Sequence, residues 1–251
     1  MAKQKGILPV KGTIGNLTFY KSQDGYLVRE KGGVDAERIA SDPAFQRTRE
    51  NGAEFGRAGR AGKLLRNAVR TLSQNASDSK MISRLTRQMI KVVKTDKVNP
   101  RGLRDVIDGE AELLEGFEFN SNCQLNTTLY APYTVVIDRV TGTLSIDIPA
   151  FVPQSMIAAP AGATHFRINS AGAEVDFEGN LYVVTMQSTP QLPWDTVLTN
   201  VISLSNAVTA NSTHPLFLVL GIEFFQEVNS IMYPLKNGSY NALSLIKVSG
   251  Q

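Results

Sequence analysis

From Phe117 onward the chain reads as short strands separated by turn residues, and this pattern limits the fold more than any other feature. The segment YTVVIDRVTGTLSIDI, residues 133–148, holds two β-rich runs around Thr141-Gly142. Residues 164–188 and 215–250 repeat the pattern, and the second of these segments contains a turn at Asn237-Gly238. Short strands punctuated by Gly, Pro and Asn are typical of an antiparallel β-sandwich. We therefore expect residues 117–251 to form such a domain.

The N-terminal segment NLTFYKSQDGYLVRE predicts a β-hairpin. Apolar residues alternate with polar ones on either side of the turn dipeptide Asp24-Gly25. An isolated hairpin is marginally stable in water, so we expect this one to dock on another surface. The alternating apolar residues are Leu17, Phe19, Tyr26 and Val28.

A long helix is predicted next. Ser41 or Asp42 can cap it, with Pro43 at the first helical position, and the helical pattern extends to Leu72. Four glycines interrupt the segment, and each costs about 0.5–1 kcal/mol relative to alanine inside a helix. They imply either a break in the helix or a compensating close contact.

Two further helices are expected before the strands begin. Ser77 or Asp78 can cap one with an apolar side opposite a basic side, and a short third helix is predicted over 103–114 with an acidic stripe. If this helix folds back, its carboxylates lie beside the basic stripe and neutralise it. The predicted fold class is α+β, with a basic hairpin-plus-helices arm at 1–116 and the acidic sandwich at 117–251.

Charge is distributed very unevenly along the chain. Residues 1–104 contain 22 Lys and Arg against 9 Asp and Glu, whereas residues 105–251 contain 4 against 14. The overall net charge is only +3. Such asymmetry indicates two parts that behave differently, with a basic end suited to nucleic acid, an anionic surface or the acidic end of another copy.

The stretch EFGRAGRAGKLLRNAVR, residues 54–70, combines glycines with basic residues but is not a phosphate-binding loop. A P-loop would need glycine where Arg57 stands and Ser or Thr where Leu64 follows Lys63. The glycine spacing does not fit the dinucleotide-binding fingerprint either. Small residues let a helix backbone approach a partner closely. The stretch therefore indicates a packing contact within the chain, a contact with another protein, or binding to nucleic acid.

Two sets of candidate residues follow from these patterns. The set expected at an assembly interface is Leu17, Phe19, Tyr26, Val28, Phe55, Gly56, Gly59 and Gly62. The set expected to contact an anion or nucleic acid is Arg57, Arg60, Lys63, Arg66 and Arg70.

Catalytic and metal-binding patterns are scarce. The two histidines, His165 and His214, have no G-x-S-x-G elbow beside them, and Cys123 alone cannot form an internal disulfide or a cysteine-based metal site. The acidic run after Arg104 lacks the spacing of a calcium-binding loop. We expect no enzyme activity, no cofactor and no metal.

The sequence also shows neither a signal-peptide pattern nor a membrane-helix pattern. The N-terminus has lysines but no signal-peptide-like apolar run, and no segment approaches the roughly 20 apolar residues of a membrane helix. We expect a protein without a membrane span, located in the cytoplasm or within a particle assembled there.

The layout resembles a group of proteins known mainly from Bacteroidota genomes. The resemblance rests on the glycine-punctuated hairpin GTIGNLTFYKSQDGYLVREKGG, the arginine-rich stretch DPAFQRTRENGAEFGRAGRAGKLLR and, more loosely, the β-rich segment IPAFVPQSMIAAPAGATHFRI. That group has no assigned activity, so the resemblance implies no catalytic residues. It is compatible with a component of a phage-like or other large particle.

The sequence is compatible with three functions. The first is a non-enzymatic structural subunit that self-associates through the basic N-terminal arm. The second is a nucleic-acid-associated protein whose arm neutralises phosphates. The third is a β-sandwich module that recognises a ligand, with Trp194 as a candidate carbohydrate platform.

Overall fold

The computed structural model describes residues 2–4, 6, 10–30, 32–235 and 240–250. Its contacts divide the chain into two compact units, Met1–Arg49 and Glu50–Gln251. Antiparallel sheets and helices occupy different segments, so the predicted α+β class is confirmed. The predicted turn at Asn237-Gly238 lies outside the described residues.

The first unit is built on a small antiparallel sheet. The described strands of this unit pair in the order β1-β4-β3-β2. The predicted hairpin is confirmed: Ser22 pairs with Gly25, so Gln23 and Asp24 form the loop, and Gly25 takes a φ of 106° that favours glycine. Its elements are β1 (Ala2–Lys3), β2 (Gly12–Ile14), β3 (Leu17–Ser22), β4 (Gly25–Glu30) and helix α1 (Ala36–Ser41).

The predicted long helix begins after a 3₁₀ turn at Pro43–Phe45. The Asp42 carboxylate accepts a hydrogen bond from the Ala44 N–H at 2.9 Å, so Asp42 is the cap. Helix α2 runs over Gln46–Ala68, and a short α3 over Arg70–Ser73 continues it after an irregular Val69.

Helix α4, Met81–Thr95, buries the side that its apolar spacing predicts. Asp78 accepts from the Lys80 N–H just before the helix begins. The predicted helix over 103–114 is wrong except for a 3₁₀ turn at Ala111–Leu114. The Asp96 carboxylate binds the Asp105 N–H, and together with neighbouring turns it holds the intervening segment in a folded loop instead.

Strands make up most of the remaining second unit. Its described strands form a sheet in the order β10-β8-β12-β14-β5, to which β9 and β13 are added, and a smaller sheet in the order β11-β7-β6. The elements are β5 (Phe117–Glu118), β6 (Thr134–Asp138), β7 (Thr143–Ile148), helix α5 (Pro153–Met156), β8 (His165–Asp176), β9 (Leu181–Ser188), β10 (Leu192–Pro193), β11 (Ile202–Ala207), β12 (Leu216–Val228), β13 (Ile231–Pro234) and β14 (Ala242–Ser249).

The large sheet is covered on both faces, which explains the long apolar run in β12. Leu218 and Leu220 face the small sheet and share a core with Ile146. Phe217 and Val219 face the helices. The two sheets form the predicted sandwich, and the helices add a third layer.

The units do not follow the boundary expected at residue 116, and the helical layer supplies the reason. Leu65 of α2 and Met89 of α4 lie in the same apolar core as Phe217 and Leu245 of the large sheet. Sequence periodicity shows that a helix has an apolar face but not which surface covers it. The helices after residue 49 therefore belong to the same compact unit as the strands.

A glycine lets the two sheets approach each other. A Cβ atom at Gly172 of β8 would lie 2.7 Å from the Asn206 Cβ of β11. Asn206 is fully buried and donates to the Ser170 Oγ at 2.8 Å, so a polar contact crosses the core at this point.

None of the described helices is both long and apolar enough to cross a membrane.

Candidate functional site

The register of the N-terminal sheet places the four predicted hairpin residues on one face. Phe19 pairs with Val28, and Lys21 pairs with Tyr26. Side chains alternate across a strand, so residues 17, 19, 26 and 28 point to the same side. We call the surface formed by Ile14, Leu17, Phe19, Tyr26 and Val28 the N-terminal apolar face.

This face is open to solvent within a single chain. Ile14 is 63% exposed and Leu17 is 45% exposed, and the other three residues are half-buried. Ile14 was not predicted from the sequence because its strand has only three residues, begins with Gly12 and is followed by Gly15. Its pairing with Leu17 adds it to the face.

The first unit has almost no core of its own. Among its described residues, Leu27 is the only one that is buried. The other face of the sheet carries this Leu27 together with Thr13, Thr18 and Tyr20, and the Arg29 guanidinium lies 5.5 Å from the Tyr20 ring centre. Sheets need an apolar face packed on something to be stable. The N-terminal apolar face is the surface available for that packing.

The predicted glycine stretch divides between the two sides of α2. A Cβ atom at Gly62 would lie 3.6 Å from both Leu85 and Met89 of α4, so Gly62 is buried in a contact within the chain. Phe55 points outward and is 59% exposed, and a Cβ atom at Gly59 would meet nothing within 4 Å. Gly62 therefore faces the interior, whereas Phe55 and Gly59 face outward.

Gly52, Gly56 and Gly59 form an exposed or half-buried line at helical spacing, which we call the glycine strip. A Cβ atom at Gly56 would meet only the Arg60 side chain, and at Gly52 nothing within 4 Å. Each glycine costs the helix about 0.5–1 kcal/mol, and no packing within the described chain offsets that cost here. The strip leaves helix backbone accessible to a partner.

Of the predicted anion contacts, Arg57 has a structural role. Its Nη1 donates to the carbonyl oxygens of Gly102 at 2.7 Å and Arg104 at 3.2 Å. Glu54 accepts from the Gly102 N–H at 2.8 Å, so the two side chains hold this loop against α2. The other four candidates, Arg60, Lys63, Arg66 and Arg70, are exposed or half-buried on α2 and α3.

Two larger cavities occur in the second unit. A cleft of about 390 Å³ beside α2 is lined by Arg57, Arg60, Asp105, Phe177 and Glu178, among others. This lining carries charges of both signs and therefore does not select one class of ligand by charge.

The second cavity is an apolar groove of about 550 Å³ between the end of β9 and the start of β11. The exposed side chains of Val197, Leu198 and Val201 contribute to it. Trp194 is half-buried beside this groove, and its Nε1 donates to the Ile157 carbonyl at 3.3 Å. A carbohydrate platform needs an exposed ring face, so this position does not favour one.

One group of carboxylates comes together, at Asp96, Asp105 and Asp108, with oxygens within 4.8 Å of one another. The Asn99 amide donates to Asp96 and to Asp108, both at 2.9 Å. Burial would raise the pKa of Asp96, but hydrogen bonds from Asn99, Asp105 and Val98 outweigh it and lower the pKa. The cluster is a hydrogen-bonded loop that replaces the predicted third helix.

Glu118 lies in a smaller pocket of about 270 Å³ that Tyr133 also lines. Burial raises the pKa of Glu118, and the Leu125 N–H donates to both of its carboxyl oxygens. The carboxyl group therefore fixes the start of a 3₁₀ turn at Leu125–Thr127.

The two histidines lie at contacts that join loops to strands. The His165 Nδ1 lies 3.0 Å from the Thr164 Oγ1, which also accepts from the Glu227 N–H. The His214 Nδ1 lies 3.9 Å from Asp176. These contacts tie the start of β8 to the end of β12, and the end of β8 to the loop before β12.

No protein-family model matches the chain, and no curated protein matches it. A solved structure from work on "pH-induced modulation of Streptococcus parasanguinis adhesion by Fap1 fimbriae" is similar over 47% of this chain and 79% of that chain. The identity is 11% and the TM-score is 0.23, which is too low to transfer fold or function.

Proposed function

We propose that the protein is a structural subunit that self-associates through its N-terminal apolar face. The observation that carries the proposal is the first unit itself: its sheet has an apolar face on which Ile14 and Leu17 are exposed, and the only described residue of the unit that is buried, Leu27, lies on the other face. Exposed apolar patches of this kind mark interaction sites. A second copy offers the same face, so two sheets can pack face to face about a two-fold axis.

The energetics indicate that this face needs a second contact. Fully burying five exposed side chains of this kind is worth roughly 8–15 kcal/mol, at about 1.5–3 kcal/mol each. The gain here is smaller because three of the five are already half-buried. Association costs about 4–15 kcal/mol in lost freedom of motion, so the face alone is marginal. Phe55 and the glycine strip supply a further exposed surface suited to close approach by another backbone.

Neighbouring residue pairs on opposite faces of the sheet provide a matched test. Ile14 pairs with Leu17 on the apolar face, and Thr13 pairs with Thr18 on the other face. In sedimentation velocity, Ile14→Glu/Leu17→Glu should convert an associating chain to a monomer. Thr13→Glu/Thr18→Glu introduces the same charges in the same strands and should leave the assembly intact.

The comparison between these two variants decides the outcome. Assembly that survives Ile14→Glu/Leu17→Glu, or that is lost equally in both variants, contradicts the assignment of this face. Circular dichroism of each variant shows whether the helices and the large sheet remain folded.

A further inference from the structure

The helical layer of the second unit carries two matched sets of cations on its solvent side. Each set has three members within eight residues, at spacings of three and four that place side chains on one side of a helix. We call them together the basic helical face: Lys63, Arg66 and Arg70 on α2 and α3, and Arg87, Lys91 and Lys94 on α4. Among the described residues, no carboxylate lies within ion-pair distance of any of the six.

The nearby acidic segment does not neutralise these cations. It lies beside α4, where Gln88 donates to the Leu113 carbonyl. However, Glu112 accepts from the Gly250 N–H at 2.6 Å, and Glu115 pairs with Lys247 at 3.3 Å. These two carboxylates are engaged by the C-terminal strand and its end, so the predicted neutralisation of the basic stripe does not occur through them.

The acidic half of another copy is a poor partner for this face. Three of its carboxylates already bind groups in separate loops: Asp138 accepts from the Val140 N–H, Asp176 from the Gly179 N–H, and Glu174 from the Ser212 Oγ. Groups dispersed in this way do not oppose two clustered sets of three cations. A partner with dense, regularly spaced negative charge fits better.

A nucleic acid duplex has that charge density. Lys63 to Arg70 and Arg87 to Lys94 each span about 10 Å along a helix axis. A duplex carries one negative charge per about 1.7 Å, so about six phosphates lie along that length. Residues 63–94, which carry all six cations, contain no aromatic residue that could stack on a base, which favours contact with the backbone over base readout.

We propose that the basic helical face binds the phosphate backbone of double-stranded nucleic acid without sequence preference. The six residues all lie outside the N-terminal sheet, so the proposal is independent of the self-association described above.

The test is fluorescence anisotropy with labelled DNA and RNA duplexes of the same sequence, about 20 base pairs long, at several salt concentrations. The nuclease-treated wild-type chain should bind with a log K that falls with log salt at a slope of up to about −5. Lys63→Gln/Arg66→Gln/Arg70→Gln should reduce that slope by about 3, and Arg87→Gln/Lys91→Gln/Lys94→Gln should do the same.

A control variant, Lys3→Gln/Lys11→Gln/Arg29→Gln, removes the same charge from the first unit. Its slope should equal that of the wild type. Binding of either duplex with these slopes supports the proposal, and the ratio of the two affinities distinguishes DNA from RNA as the source. Failure of the wild type to bind both duplexes, or an equal loss in the control, overturns it.

Discussion

At the scale of single residues, Asp78 shows how one carboxylate joins the helices to the sandwich. It accepts from the Ser121 N–H at 2.8 Å and the Ser121 Oγ at 2.9 Å, and it forms an ion pair with Arg84. Arg84 in turn donates to the carbonyls of Glu118 and Phe119. Burial would raise the pKa of Asp78, but these hydrogen bonds and that of Lys80 outweigh it and lower the pKa to about 2.

This pKa predicts how stability depends on pH. The folded chain holds Asp78 ionised more strongly than the unfolded chain does, so its contribution is complete above pH about 4 and is lost as pH falls towards 2. The side chain is only 6% exposed, and the lowering of its pKa from 3.8 to about 2 corresponds to about 2 kcal/mol. In urea unfolding, Asp78→Asn should be less stable than wild type by about that amount at neutral pH. The difference should shrink between pH 4 and 2, and a constant difference would contradict the account.

At the scale of elements, the sequence predicts those whose pattern is local. Alternation across Asp24-Gly25 predicts the hairpin and the side chains that share its apolar face. Apolar spacing predicts the buried side of α4. The helix expected over 103–114 fails because Asp96, outside that segment, engages the Asp105 backbone. The division of the chain into compact units at residues 49 and 50 has no local signal in the sequence, because it depends on the covering of helices by a distant sheet.

The glycines of α2 show the same limit. In the sequence, Gly59 and Gly62 are equivalent, whereas in the fold Gly62 contacts α4 and Gly59 is open. A leucine at Gly62 would thus disturb the core as well as any interface.

The two positions should therefore respond in opposite directions. Gly59→Ala should stabilise the chain by about 0.5–1 kcal/mol because alanine favours the helix and meets nothing. Gly62→Leu should destabilise it by about 1–3 kcal/mol because the site is already packed. Urea unfolding in the Ile14→Glu/Leu17→Glu background measures both without a contribution from association. Equal effects at the two positions would contradict this division of the helix.

At the scale of the whole molecule, two separate surfaces are proposed to bind two different partners. The N-terminal apolar face is proposed to meet another copy, and the basic helical face to meet phosphates. The uneven charge along the sequence points to the second surface, but only the pairing register shows which residues form the first. The cavities of the second unit were not predictable, since they arise where distant loops meet.

Self-association itself is tested by the solution mass of the nuclease-treated chain, measured by light scattering at low and high salt. Salt screens exposed charges but does not weaken apolar contacts. The account predicts a defined multiple of 27.4 kDa at both salt concentrations. The mass of a single chain at both salt concentrations would contradict self-association. A larger mass that falls to that of a single chain at high salt would show that charge, and not the apolar face, holds the assembly together.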